Sequence, residues 1–362
     1  MKKQRESGIE LLRILAAISV VFLHFNFPGA FGALWDDSST LPLGKTMVLI
    51  FFESVSICAV NVFILITGYF LSTNDQRSIG KPFMLLLQLV VIKLLIWFFG
   101  IWAGEHTFSL PGLFMASLPR SYFVSLYIAL YLISPYLNIV LQSLSKREWK
   151  VYLILCLSLF SIWETVLNVG DDLVNTNLNT MSAISHWGGG CGHTLLNFAL
   201  LYSLGAFLRL NDFRMRTSKS VLYLSSITLL IFLCFFFEIH HKKEIINFTI
   251  SYYYNPLVIL QSVFAFLLFQ NLSFKSPFIN EIAKAAFTCY IINGFVISMI
   301  GGGEMAVHLS AYQLFFFLIF GGLGTYILAY ILYKLFIIST NWLVKILDSC
   351  SVNYWDNDSS KY

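Results

Sequence analysis

About ten stretches of roughly 20 apolar residues follow one another along this chain, separated mostly by short polar connections. Twenty residues of α-helix rise about 30 Å, the thickness of a bilayer's hydrocarbon core. Inside that core every backbone N–H and C=O must be bonded within the protein, so a spanning segment is a helix or a strand of a closed barrel. The alternation of a barrel strand is absent. With 57% hydrophobic residues, 12% charged residues and a mean hydropathy of +0.74, the chain reads as one all-α polytopic integral membrane bundle. The spans are expected at 9–27, 47–71, 82–104, 121–142, 150–167, 193–209, 219–238, 251–270, 282–300 and 311–338. No soluble appendage and no internal repeat is evident over residues 1–362.

The first span follows Lys2, Lys3 and Arg5, as a secretory signal would. Its full spanning length and the arginine within it favour an uncleaved helix. Basic residues then set the orientation. Of the 23 Lys and Arg, only Lys45, Arg120, Lys242 and Lys243 fall in the connections opposite the termini; Arg13 and Lys93 lie within spans, and the rest fall on the side of the termini. Both termini are therefore expected in the cytoplasm. This asymmetry also explains the net charge of +4 without a nucleic-acid partner. The six cysteines show no CxxC spacing. His186 and His193, seven apart, and the adjacent His240 and His241 do not form a metal-ligand pattern. No metal is expected. Asn247-Phe248-Thr249 fits a glycosylation sequon, which matters only in a eukaryotic secretory pathway.

Ionisable residues inside spans are costly and mark functional sites. The first span carries Arg13 and His24, separated by eleven steps, which is three helical turns plus about 20° and a rise of about 16 Å. The two therefore share a face, with Arg13 near the cytoplasmic surface and His24 near the outer one. Snorkelling of Arg13 to the headgroups and an interfacial His24 are the plain alternative. Glu53 falls in the second span at a depth comparable with His24, and Lys93 falls midway along the third. The outer segment 168–192 is the longest polar connection. Its Asp171, Asp172 and Trp187 suit sugar hydroxyls and ring faces, or form a solvated linker. Arg120, beside Pro119, either holds an anionic group or anchors a helix end.

Several segments resemble the membrane acyltransferase 3 family. Ser7-Gly8-Ile9-Glu10-Leu11-Leu12-Arg13 through His24-Phe25-Asn26 is similar to that family's opening helix, with Arg, ten residues, then His. Asn61 to Leu71, with Thr67-Gly68-Tyr69-Phe70-Leu71, resembles its Phe-X-Leu-Ser-Gly-Phe/Tyr-Leu segment. Tyr122-Phe123 through Tyr131-Leu132-Ile133-Ser134-Pro135 resembles its Trp-Phe…Tyr…Leu-Tyr-Leu…Pro helix, and Asn197 to Arg209 another of its helices. Phe287-Thr288-Cys289-Tyr290-Ile291-Ile292-Asn293 resembles a late segment ending Tyr-Leu-Ile-His. Two positions depart: Asn293 replaces the late histidine and Tyr122 the tryptophan. Asn293 can hydrogen-bond but cannot carry a proton.

The resemblance implies transfer of an acyl group, usually acetyl from acetyl-CoA, to a hydroxyl of a cell-surface or lipid-linked polysaccharide, at the inner (plasma) membrane. His24 would be the general base and Arg13 would organise the donor, with no metal. Glu53 would accept the imidazole's other N–H, as a carboxylate does in a triad. Arg77, Lys81 and Lys93 would bind the donor. Asp171, Asp172, Trp187 and Asn293 would contact the acceptor. Two alternatives stay open: a transporter or flippase for a polar or lipid-linked substrate, and a non-catalytic glycan-binding relative.

Overall fold

The structure, a computed structural model, describes residues 6–26, 41–74, 77–78, 80–174, 176–240, 249–301 and 308–349. Among them there are helices and turns and no strand. Eight continuous helical segments are long and apolar enough to cross a bilayer, and two shorter apolar helices complete the set. The chain is a polytopic helical membrane protein, and helices stand at all ten expected positions.

The helix α1 (Ser7–His24) runs through the middle of the bundle. The second expected span is two helices, α2 (Leu43–Ser56) and α3 (Ala59–Leu71), broken by a turn at Ile57–Cys58. Then come α4 (Gly80–Trp102), the short α5 (Leu110–Ser117) and α6 (Tyr122–Ser143). Ser121 caps α6 by accepting from Val124 N at 3.3 Å; such a cap is worth about 1 kcal/mol.

The fifth span is longer than expected. It starts with a capping box between Ser145 and Glu148 in α7 (Lys146–Leu157), passes one π turn, and continues as α8 (Trp163–Val174). Glu164, the carboxylate in this span, is wholly buried. It accepts from Ser182 Oγ at 2.7 Å and Ala183 N at 3.0 Å, fastening the outer loop to α8.

Next are α9 (Leu195–Leu210), α10 (Thr217–His240) and α11 (Pro256–Gln270). The helix α11 begins at Pro256 and not at 251. Asn255 Oδ1 accepts from Leu257 N at 2.9 Å, and proline at the first helical position has no N–H to lose. The chain closes with α12 (Pro277–Ile282), α13 (Ala286–Met299) and α14 (Ala311–Ser349).

At 16 and 15 residues, α9 and α11 rise only about 23 Å, less than a hydrocarbon core. They tolerate this because protein surrounds them: Phe198, Leu201, Tyr202, Val258 and Phe266 are fully buried. Glycines bring α9 onto α3. A Cβ on Gly68 would stand 2.1 Å from Tyr202 O, and one on Gly205 would stand 2.1 Å from Leu65 O. The two backbones are in direct contact, the close approach that small residues permit between membrane helices.

Around α1 pack α2, α3, α11, α13 and α14. Two side-chain bonds fix relative depth. Cys289 Sγ on α13 lies 3.8 Å from Ala17 O on α1, and Gln88 Nε2 on α4 donates to Thr288 Oγ1 on α13 at 2.7 Å. Ala17, Gln88 and Thr288 therefore stand at one level.

Candidate functional site

A cavity of about 360 Å³ lies between α1, α3, α4, α6 and α13. Three cations from different helices line it: Arg13 from α1, Lys81 from α4 and Lys284 from the turn before α13. All three belong to the end of the bundle rich in basic residues. Beyond them the walls are apolar, made by Val60, Phe63, Phe123 and Phe287, with Thr67, Tyr127 and Tyr290 as the polar interruptions. The Thr67 hydroxyl is already used, donating to Phe63 O at 2.8 Å. The α1 lining ends at Val20, one turn before His24.

Arg13, Val20 and His24 share one face of α1, as the spacing requires. The His24 ring is exposed, whereas its neighbours Leu23 and Phe25 are buried. Its Nδ1 lies 2.8 Å from Val20 O. A carbonyl oxygen only accepts, so Nδ1 must carry the hydrogen. In the neutral ring Nε2 therefore holds a lone pair.

At the opposite end, Arg13 Nη1 contacts Glu10 Oε2 at 3.1 Å and Oε1 at 3.4 Å. Nη2 and Nε of Arg13 have no partner among the described residues. Lys81 is exposed, with its ammonium 5.1 Å from the centre of the Tyr131 ring. Lys284 Nζ stands 2.6 Å from Glu281, which Lys334 also contacts at 2.6 Å. One carboxylate shared by two lysines leaves this mouth positive.

Glu53 makes no hydrogen bond to His24. Its Oε2 accepts from Asn26 Nδ2 at 2.9 Å, and the imidazole hydrogen it was expected to receive goes to Val20 O. Backbone closure within α1 is geometrically cheaper than reaching across to α2.

Arg77 does not line the cavity. It is 2% exposed. Its guanidinium donates to Ser134 Oγ at 2.9 Å, to Leu71 O at 3.3 Å and to Asn74 O. It closes the carbonyl end of α3, where the last turn lacks helical partners.

Lys93 turns away from the cavity and donates to Arg120 O at 2.8 Å. Asn293 is 3% exposed and spends one of its two amide hydrogens on Tyr290 O at 2.6 Å.

The outer loop contributes differently from expectation. Asp171 Oδ1 accepts from Leu178 N and closes the loop on itself; the Asp172 side chain lies outside the described residues. Trp187 is 85% exposed and meets His186 edge to face. What the loop brings to the bundle is His193. Its ring stacks on Tyr122 with centroids 4.1 Å apart and lies 5.2 Å from Tyr253. Burial holds its imidazole below the ordinary histidine range.

Beside Tyr122, Ser121 Oγ lies 2.8 Å from the hydroxyl of Tyr290, a residue of the cavity wall. Lys284, Tyr290 and His193 are absent from the expected site. For Lys284 a signal existed: with Glu281 it forms an i,i+3 pair at the entry of an apolar run. No local pattern marks Tyr290 or His193, because long-range packing selects them.

The acyltransferase domain that defines the acyltransferase 3 family matches residues 6–334. No curated protein matches the chain. No solved structure matches it. The match begins before α1 and ends within α14, and takes in the Arg13–His24 helix and every wall of the cavity, so the chain belongs to the acyltransferase 3 family and is a membrane acyltransferase.

Proposed function

We propose that this acyltransferase moves an acetyl group from acetyl-CoA on the cytoplasmic side to a hydroxyl of a surface or lipid-linked saccharide, with His24 as general base. One observation carries the reading. The Val20 carbonyl takes the Nδ1 hydrogen of His24, which leaves Nε2 able to receive a proton, and the same helix face descends to a cation-lined cavity.

CoA is a multiply charged anion attached to a long, mostly neutral pantetheine arm. Lys81 and Lys284 suit its phosphates as compact charges, and Arg13, with a planar fork, suits a carbonyl or phosphate further in. The apolar wall between Phe63, Phe123 and Phe287 suits the arm. The thioester then approaches the Val20–His24 turn.

The chemistry balances with these groups alone. The acceptor hydroxyl gives its proton to His24 Nε2 as its oxygen bonds to the thioester carbon. The tetrahedral adduct collapses with cleavage of C–S, and the departing thiolate recovers the proton from the imidazolium. Such positioned base catalysis is worth about 10²–10⁴-fold.

The test uses the full chain in liposomes, with radiolabelled acetyl-CoA and an extract of cell-surface glycan precursors. Label in the saccharide fraction, lost in His24→Ala, is the expected result. Net saccharide movement without acetyl-CoA, and no label transferred, would replace the enzyme with a transporter.

A further inference from the structure

Two cations lie near each other outside the cavity, with no carboxylate partner among the described residues. Lys93 on α4 donates to the backbone carbonyl of Arg120 at 2.8 Å. This bond brings the lysine to the entry of α6, where its charge and that of Arg120 repel each other. The Arg120 side chain is exposed and has no hydrogen bond or ion pair among the described residues. Lys93 uses one of the three donors an ammonium offers. Uncompensated charges within a membrane span are costly and are retained where an anion meets them. The first turn of α6, a 22-residue helix, adds the positive end of its dipole at the same place.

The depth of the pair follows from the register of the bundle. Gln88, Thr288 and Ala17 share a level. Lys93 is five residues beyond Gln88 along α4, about 7.5 Å further. The same advance along α1 falls between Val20 and His24. The backbone of Lys93 thus stands within about one helical turn of the depth of His24. The two cations also adjoin the cavity: Ser121, next to Arg120, contacts the hydroxyl of Tyr290, a residue of the cavity wall. One turn beyond Lys93 on α4, Trp97 packs against Phe108 with ring centroids 5.6 Å apart, and Phe108, Leu110 and Phe114 around α5 are apolar and exposed.

We propose that Lys93 and Arg120 bind the phosphate of a lipid-carried acceptor, a saccharide on a lipid diphosphate, and thereby set its first sugars beside Ser121 and Tyr290, near the depth of His24. The inference rests on the acyltransferase reading and adds the form in which the acceptor arrives. The hydrocarbon lies along the apolar skin of α4 and α5, the phosphate sits on the two cations, and the sugar hydroxyl reaches the chamber. Bulk phospholipid headgroups carry the same phosphate chemistry, and the experiment separates the two sources.

The test measures binding of a long-chain polyprenyl diphosphate to the purified full chain in neutral detergent. Comparators are the polyprenol without phosphate and phosphatidylglycerol. Arg120→Gln is the informative variant, since Lys93 bonds to the backbone of residue 120 and that bond survives the change. Arg120→Gln is expected to weaken the diphosphate at least tenfold, and Arg120→Lys to retain most of the affinity. The polyprenol and phosphatidylglycerol should bind at least tenfold more weakly than the diphosphate. Unchanged affinity in Arg120→Gln overturns the site. Equal competition by phosphatidylglycerol overturns the acceptor assignment and leaves a generic headgroup site. None of these outcomes depends on catalysis, so failure here is distinct from persistence of acetyl transfer in His24→Ala, which would remove the base.

Discussion

The Nδ1 of His24 lies 2.8 Å from the carbonyl oxygen of Val20, one turn earlier on the same helix. In a helix interior that carbonyl would be committed to the i+4 backbone N–H; near the end of α1 it can also take a ring hydrogen. The tautomer is thus set by the helix itself. Replacing His24 by Ala removes the proton acceptor together with a single side-chain hydrogen bond, the one to Val20 O. Transfer should fall by about 10²–10⁴-fold, with unchanged insertion and thermal unfolding, as measured by labelled-acetyl transfer and by a melt of the detergent-solubilised protein.

Glu53 tests the same point from the other side. If a carboxylate oriented His24, neutralising it would cost several orders of magnitude. Here its Oε2 accepts from Asn26, and the amide oxygen of glutamine accepts as well. Glu53→Gln should therefore keep kcat within about tenfold of the parent, short of the 10²-fold or more that loss of a positioned base costs. A fall comparable to that of His24→Ala would restore a triad.

Much of the architecture was readable from the chain because apolar length and basic asymmetry are local quantities. Helices stand at all ten expected positions. The errors fell where neighbours override local pattern. The turn at Ile57–Cys58 carries no proline or glycine, and α11 starts at Pro256 because Tyr252 to Asn255 pack as a loop under the outer segment. The Arg13–His24 face was legible from helical period alone. The roles of Arg77, Lys93 and Glu53 were not, because a buried charge in sequence does not say which carbonyl or amide will reach it. Two of these three reach backbone carbonyls, the partners that sequence hides most completely.

The donor side separates lysines that face the cavity from an arginine that does not. Lys81→Gln and Lys284→Gln each remove one charge from the mouth. The KM for acetyl-CoA should rise about three- to tenfold, the range of one partly screened charge-assisted contact, with little change in kcat. Arg13→Lys should lower kcat/KM by at least tenfold, since an ammonium cannot reproduce a planar fork. Arg77→Gln strips donors from one buried and two partly buried contacts and should destabilise the protein by about 1–3 kcal/mol. Its KM for acetyl-CoA, measured on whatever fraction folds, should stay at the parent value. Steady-state kinetics alongside melts distinguish these patterns.

One substitution made at two glycines probes the helix contact on which the cavity wall depends. At Gly205 an added methyl would stand 2.1 Å from Leu65 O and 2.8 Å from Tyr69 N, both backbone atoms that cannot turn aside. Helices α3 and α9 would have to separate, carrying Val60, Phe63 and Ile66 with them, and overpacking of this kind costs about 1–3 kcal/mol or more. At Gly294 on α13 the same methyl meets nothing within 4 Å, and alanine is favoured over glycine in a helix by up to about 1 kcal/mol. Gly205→Ala should therefore lower the unfolding midpoint and reduce acetyl transfer together, while Gly294→Ala should leave the midpoint unchanged or raise it. Equal midpoints for the two variants would mean that the α3–α9 contact is looser than its backbone distances require.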